Sequence, residues 1–467
     1  MKQHILRKLT SIDELMSYPA VAQLTAEHDR DLVVKTAREV VDDVRNAILK
    51  AEELQQVDEI VSLENIGKMV VSCVQKKFTP SLRSAINAAG VILHTGLGRA
   101  VIPSKAIEAV NDVIKGYCNL AADIETGQRC SRDVHFSHLL CELTGAEAAT
   151  IANNNAAATM LVLNSIAKGK EVIVSRGQLV EIGGSFRMPD VMEASGAILR
   201  EVGTTNKTHL RDYANAINEN TGAILRVHMS NYRIVGFFEE PSIDDMSALA
   251  RKHGIPIIDD IGSGSLIDLM EYGLESEPMI TDSIKAGVDV ACFSGDKLIG
   301  GPQCGIMVGK ADAIRRIKKN PLARALRVGK LDVAALEATL RLFLDRGKLN
   351  EQHPTYRMFS LSLDELRDRA QAAASQIANM VSDRAEIAVI NGNSQVGSGS
   401  VPAQMIPTVL LSVRPKLVSA DAFAKMLRYY APPIFARIHK DAVLFDFRTI
   451  QLDEDAVIAK AICEIFA

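Results

Sequence analysis

The hydrophobic rhythm of the 467-residue chain changes near residue 85. Before that point apolar side chains recur at helical spacing. Val33, Ala37, Val40, Val44 and Ile48 fall three or four positions apart and form one stripe, with Asp42, Asp43, Arg45 and Lys50 on other faces. Ser11, Ile12, Asp13 and Glu14 form a capping-box pattern, in which the serine hydroxyl accepts from the Glu14 amide and the Glu14 carboxylate reaches back. A further helix is expected over residues 63–76, ended by Thr79 and Pro80. Residues 1–80 therefore read as a separate helical domain, whose simplest role is packing or dimerisation.

Beyond residue 85, short β-rich runs at 171–175, 197–202, 223–229, 255–260, 288–294 and 305–309 alternate with helical stretches such as 242–253. Near-continuous apolar strands separated by helices predict a sheet covered on both faces. The expected fold is α/β, a mainly parallel doubly wound sheet whose ligands sit at the carboxyl ends of the strands. An Ala/Leu-rich helix over 331–344 links this large domain, residues 81–340, to a small α+β domain, residues 341–467. The small domain carries a Gly/Ser loop at residues 397–400 and hairpin-like runs around Arg437 and Phe445.

Composition narrows the function classes. Fifty-three basic against 57 acidic side chains give a net charge of -4, so no global field recruits nucleic acid, and RNA contact needs local patches. Aromatics are 4% with no Trp, which argues against many base-stacking platforms. The seven cysteines are odd in number, scattered and without a CxxC pair, as in a reducing compartment. The first residues lack the apolar stretch of a signal peptide, and no apolar run approaches the roughly 20 residues of a membrane helix, so a cytoplasmic location is expected. His135, His138 and Cys141 spread around a helix without a fourth ligand, and no metal is expected. A GxGxxG signal after a strand is missing, which disfavours a NAD enzyme.

Three segments carry candidate chemistry. Lys297 leaves an apolar strand into the glycine-rich run Gly300-Gly301-Pro302, where desolvation would lower its pKa as Schiff-base chemistry requires. Asp260 ends another strand, where a carboxylate can pair with a protonated pyridine nitrogen. Asn153, Asn154 and Asn155 open a helix, and small polar residues at a helix N-terminus make an anion site. Each alone has a bland reading as a surface lysine, a turn residue or an N-cap. In this chain order they describe a site for pyridoxal 5'-phosphate (PLP): phosphate at residues 153–157 with Ser294, ring nitrogen at Asp260, Schiff base at Lys297. Asn231 is placed to touch the ring hydroxyl.

A wider resemblance then emerges. Asn87-Ala-Ala-Gly-Val-Ile-Leu-His-Thr-Gly-Leu-Gly-Arg99, the Asn run, Ser175-Arg-Gly-Gln-Leu-Val-Glu-Ile-Gly-Gly184, Gly203-Thr-Thr-Asn206, Ser230-Asn-Tyr232, Asp260-Ile-Gly-Ser-Gly264 and the segment from Ser294 to Pro302 together resemble bacterial selenocysteine synthases. These are L-seryl-tRNA(Sec) selenium transferases of the fold-type I PLP class. The likeness continues to Pro432-Pro433 and Asp446-Phe-Arg448, practically the whole chain. It implies β-elimination of the serine hydroxyl from seryl-tRNA(Sec), addition of selenium from selenophosphate, and release of selenocysteinyl-tRNA(Sec). It further implies Lys297 as the base at Cα, and Arg99, Arg324 and Arg327 as the cationic pocket for the selenium donor. Asp296 would orient the donor or protonate the leaving hydroxyl. The N-terminal helical domain would grip the tRNA, and subunits would assemble as dimers within a decamer.

Gly96, Cys130, Ala121-Ala122 and Phe435-Ala436 depart from the family pattern. The alternative is a PLP lyase on the same scaffold that eliminates water or ammonia from a small amino acid or amino-sugar acid without tRNA. The N-terminal helical domain and the Arg324/Arg327 pair favour the transferase.

Overall fold

The computed structural model describes residues 2–50, 61–184, 186–397, 399–401 and 404–467. The chain divides into two compact units, Met1–Ser84 and Ala85–Ala467. In the first, the capping box forms as expected: Ser11 Oγ accepts from the Glu14 N–H and Glu14 Oε2 accepts from the Ser11 N–H (2.9 Å), starting helix Ile12–Ser17. The stripe lies on helix Arg30–Lys50, where Val33, Ala37, Val40, Val44 and Ile48 are all buried. It packs with Ile66, Val70 and Val74 of helix Leu63–Phe78, which Ser62 caps and which runs two residues past the expected end.

The second unit holds two main sheets. In chain order its strands are β1 (Ile86–Ala88), β2 (Ala148–Ala152), β3 (Glu171–Ser175), β4 (Glu181–Ile182), β5 (Phe186–Arg187), β6 (Ile198–Val202), β7 (Thr221–Val227), β8 (Ile257–Gly262), β9 (Val290–Ser294) and β10 (Gly305–Gly309). They are followed by β11 (Ala385–Gln395), β12 (Met405–Pro415), β13 (Ile434–His439) and β14 (Ala442–Asp446). The large sheet has the order β2-β10-β9-β8-β7-β3-β6. The run from β9 to β6 is parallel, and β10 alone runs against its neighbours. The expected mainly parallel fold-type I architecture is thus present. The chain leaves β3 outward to β6 and returns past it to β7, so the winding reverses at β3/β7, the kind of point where such sheets bind ligands. Strands β9 and β10 are buried at every position, as burial on both faces demands.

The small sheet has the order β1-β13-β14-β12-β11. Strand β1 belongs to it, although residues 86–88 precede the large sheet in sequence; it pairs in parallel with β13. A boundary at residue 340 therefore does not part the two sheets. Residues 331–344 are helical as expected, over Lys330–Leu342. Arg437 and Phe445 lie on β13 and β14, which pair as an antiparallel hairpin.

Asp446 ties the small sheet together. Fully buried, it accepts from Ser394 Oγ (2.8 Å), Thr408 Oγ1 (2.8 Å) and the Arg448 N–H (3.1 Å), and it pairs with Arg437 (3.2 Å). Removing one member of such a buried ionic network strands the others. Asp446→Ala is expected to cost about 3–5 kcal/mol, measured as a lowered denaturation midpoint of the full chain.

Candidate active site

The site lies at the carboxyl ends of β7, β8 and β9, facing the helix Asn155–Ala167 that follows β2. A cavity of about 220 Å³ is lined there by Arg99, Asn154, Asn155, His228, Ser230, Asp260, Ser294, Lys297 and Gln303, among others.

Side chains alternate along β8, which assigns its two acids to opposite faces. Asp259 turns away from the cavity to Arg226 (3.2 Å) and Ser283 (2.5 Å). Asp260 faces the cavity and accepts from Asn155 Nδ2 (2.8 Å) and Thr159 Oγ1 (2.9 Å), so the Asn-rich helix holds the carboxylate in place. Burial pushes the Asp260 carboxyl up, while the bonds from Asn155 and Thr159 and the charge of Lys297 pull it back. Among the described residues no cation is in contact with this acid, which is suited to a protonated ring nitrogen.

Lys297 follows β9 and is only 7% exposed. Burial, and then the charge of Arg99, push its amine below the usual lysine range; Asp260, Asp296 and Glu277 act the other way. The turn after it is clamped by main-chain bonds. The Tyr356 hydroxyl donates to the Leu298 carbonyl (3.1 Å), and His353 Nε2 lies 2.9 Å from the Ile299 carbonyl. Gly300 closes this turn at φ 65°, against the His353 ring, where a side chain would collide.

Arg99 adopts φ 63°, a left-handed conformation uncommon for a non-glycine residue, and its guanidinium meets Asp296 at 2.7 Å. Arg99 and Asp296 are therefore joined beside Lys297, although 197 positions apart.

Other expected residues fall elsewhere. Asn153 does not line the cavity; its N–H donates to the Leu326 carbonyl (2.9 Å), and the helix presents Asn154, Asn155 and Ala156 instead. Asn231 does not reach the cavity either. The chain turns tightly after β7, with the Ser230 N–H donating to the His228 carbonyl, and Asn231 Nδ2 donates to the Glu181 carbonyl (2.9 Å). His228 and Ser230 occupy the wall in its stead. Burial holds the His228 imidazole neutral, with its pKa pushed down to about 4. A polar residue at the end of an apolar strand is a signal that could have marked His228.

The three-residue spacing of Arg324 and Arg327 suggests one helix face, but the helix ends at Ala325 and Arg327 lies beyond it. They line a second cavity of about 410 Å³ with Arg129, Arg132, Lys318 and Lys319. Lys318 is paired with Asp133 (2.6 Å). Burial and then the neighbouring Arg327 lower the Arg132 pKa, a sign of crowded cations suited to an anion. Two departures from the family pattern, Ala121 and Cys130, sit on this same wall.

The sheet, with its amine and acid meeting at the carboxyl edge, has the architecture of the fold-type I class of PLP-dependent enzymes. The solved structure of D-glucosaminate-6-phosphate ammonia-lyase shares this fold, with a TM-score of 0.57 at 20% identity over 84% of this chain and 98% of that one. The family described as L-seryl-tRNA selenium transferase matches residues 85–451, and the selenocysteine synthase N-terminal family matches residues 6–45. The chain belongs to the L-seryl-tRNA selenium transferase family. The L-seryl-tRNA(Sec) selenium transferase of Nitratidesulfovibrio vulgaris is 46% identical over 464 residues, covering 98% of each chain. That of Alkaliphilus oremlandii is 44% identical over 466 residues, covering 99% of each.

Because the Arg99 cation opposes protonation of Lys297, Arg99→Gln should move the pH midpoint for chemical acylation of Lys297 upward. The same change frees Asp296, which acts in the same direction. Mass-spectrometric labelling of the cofactor-free protein across a pH series measures the shift.

Proposed function

We propose that this chain converts seryl-tRNA(Sec) to selenocysteinyl-tRNA(Sec), using PLP held at Lys297 and selenium delivered by selenophosphate. The observation that carries the chemistry is the meeting of the buried Lys297 amine and the buried Asp260 carboxylate in one cavity. Relatives of the same name, similar along nearly the whole chain, support the substrate.

The residues present fit PLP. Asp260 offers a negative partner to a ring nitrogen, and the helix start at Asn154 and Asn155, with Ser294 opposite, offers a phosphate cradle. Among the described residues Asn155 Oδ1 is buried without a hydrogen-bond partner, an acceptor that suits an N–H or O–H of the cofactor ring rather than its phosphate. When bound, PLP supplies the electron sink that makes the seryl Cα proton acidic.

The chain's own residues do the rest. Lys297, its pKa lowered by burial and by the charge of Arg99, takes the Cα proton. Asp296, held 2.7 Å from Arg99, stands beside it to guide a proton to the departing hydroxyl, which leaves as water. The selenium of selenophosphate then bonds to Cβ, the P–Se bond breaks with water taking the phosphoryl group, and inorganic phosphate leaves; the arginines would bind the donor's phosphate. In one chain Arg99 lines one cavity and Arg324 with Arg327 another, which supports a donor site completed between subunits of a homo-oligomer. The unit Met1–Ser84 is the proposed tRNA grip.

Lys297→Ala should abolish both the visible absorbance of the cofactor-loaded protein and formation of selenocysteinyl-tRNA from seryl-tRNA and selenophosphate. A retained band would show that another amine holds the cofactor. Replacing Arg324 and Arg327 together with Ala should leave cofactor binding and solvent exchange of the seryl Cα proton intact while selenium incorporation stops. Unchanged incorporation would remove this pair from the donor site.

A further inference from the structure

Glu277 has no part in the reading above, yet it is only 5% exposed and stands among the site residues. Oε2 accepts from Ser263 Oγ (2.8 Å) and lies 3.8 Å from His228 Nδ1. Oε1 accepts from the Val401 N–H. Ser263 follows β8, His228 follows β7, and Val401 lies in the Gly/Ser loop that leaves β11. The Lys297 charge also acts on this carboxyl. One buried acid therefore joins the end of β8, through Ser263, to a loop from the other sheet, through Val401, with the neutral His228 ring beside it.

That loop lies on the Lys297 amine. Gly399, at φ 94°, is so close that a Cβ there would stand 2.6 Å from Lys297 Nζ and 2.8 Å from Cε. Any side chain at 399 would displace the amine. Ser398 lies outside the described residues. Two positions on, Val401 adopts φ 43°, a left-handed conformation that a β-branched residue strongly disfavours. A backbone held this way needs a restraint, and the charge-assisted bond from its N–H to Glu277 is one. A second clamp sits close by. The Glu275 N–H donates to Gln404 Oε1 (2.7 Å), and Gln404 Nε2 reaches the Gly273 carbonyl (3.5 Å). At the loop's other end the Leu93 N–H donates to the Val396 carbonyl (2.7 Å).

We propose that Glu277 is a positioning residue whose buried carboxylate latches residues 399–401 over the Lys297 amine. The latch keeps water from the amine and fixes the last methylene of its side chain. This rests on the reading of Lys297 as the reacting amine.

The test uses the full chain without cofactor. Glu277→Gln keeps the side-chain shape and removes the charge. Two rates are read: backbone amide exchange at residues 399–401, and the limiting, pH-independent rate of acylation of Lys297 by acetic anhydride at high pH, followed by mass spectrometry, because loss of the Glu277 charge by itself lowers the Lys297 pKa. Both should rise several-fold, because the Gln amide oxygen still accepts from the Val401 N–H but without the charge that strengthens the bond, while exchange in β7, β8 and β9 stays as in the unaltered protein. Unchanged rates, or faster exchange throughout the sheet, would overturn the latch, since a merely structural acid would loosen its surroundings in general. Should Glu277→Gln fail to fold, Ser263→Ala removes one bond from the same carboxylate. It should raise both rates by a smaller factor, and no rise would be equally damaging. Neither rate depends on turnover, so a failed latch is distinguishable from a wrong assignment of Lys297, which the cofactor absorbance of Lys297→Ala decides.

Discussion

On the proposed function, the chemistry of this protein depends on keeping one amine, that of Lys297, out of water. A lysine in water is protonated and cannot act as a base; burying it disfavours the charged form and frees the lone pair. Here the burial is built by several elements. The turn after β9 is clamped by Tyr356 and His353, Arg99 adds a like charge, and the backbone of Gly399 lies across the side chain. Asp260 supplies the opposing need, a negative charge that stays close to a heterocycle because Asn155 and Thr159 bond to it. Desolvation alone would neutralise that acid, so the hydrogen bonds and the sheet geometry must hold it ready.

The unit Ala85–Ala467 separates two electrostatic environments. Around Lys297 the charges are of both signs: Asp260, Asp296 and Glu277 against Lys297 and Arg99. Around Arg324 and Arg327 the lining is mostly cationic, with Asp133 already engaged by Lys318. The first environment suits proton transfer, which needs groups of both signs close together; the second suits a multiply charged anion, which needs uncompensated cations. The net charge of the chain, -4, hides this division, because local clusters rather than the sum decide where an anion binds.

Much of the scaffold was legible in the chain. The burial period of 33, 37, 40, 44 and 48 placed one helix, and the apolar runs at 171–175 and 305–309 matched their strands to the residue. Lys297, Asp260, Asn154, Asn155 and Ser294 were readable as a group because each stands at a strand or helix end with a residue type its chemistry requires, Arg99 was named by the family resemblance alone, and all six line one cavity. Asn153 and Asn231 stand outside this lining, because an end position does not settle direction: the Asn153 N–H goes to the Leu326 carbonyl and the Asn231 side chain to the Glu181 carbonyl. Glu277 carried no local signal at all, being one acid among several in a loop.

Hydrophobic period, capping residues and the order of strand-end motifs are properties of nearby residues, so the sequence by itself determined the helical start, the wound sheet and the identity of the amine and acid. Only the tertiary structure decided that β1 joins the small sheet, that the arginines divide between two cavities, and that a glycine loop from β11 meets Lys297 through Glu277. Those facts join positions more than a hundred residues apart, and no local periodicity encodes which distant surfaces meet when the chain closes.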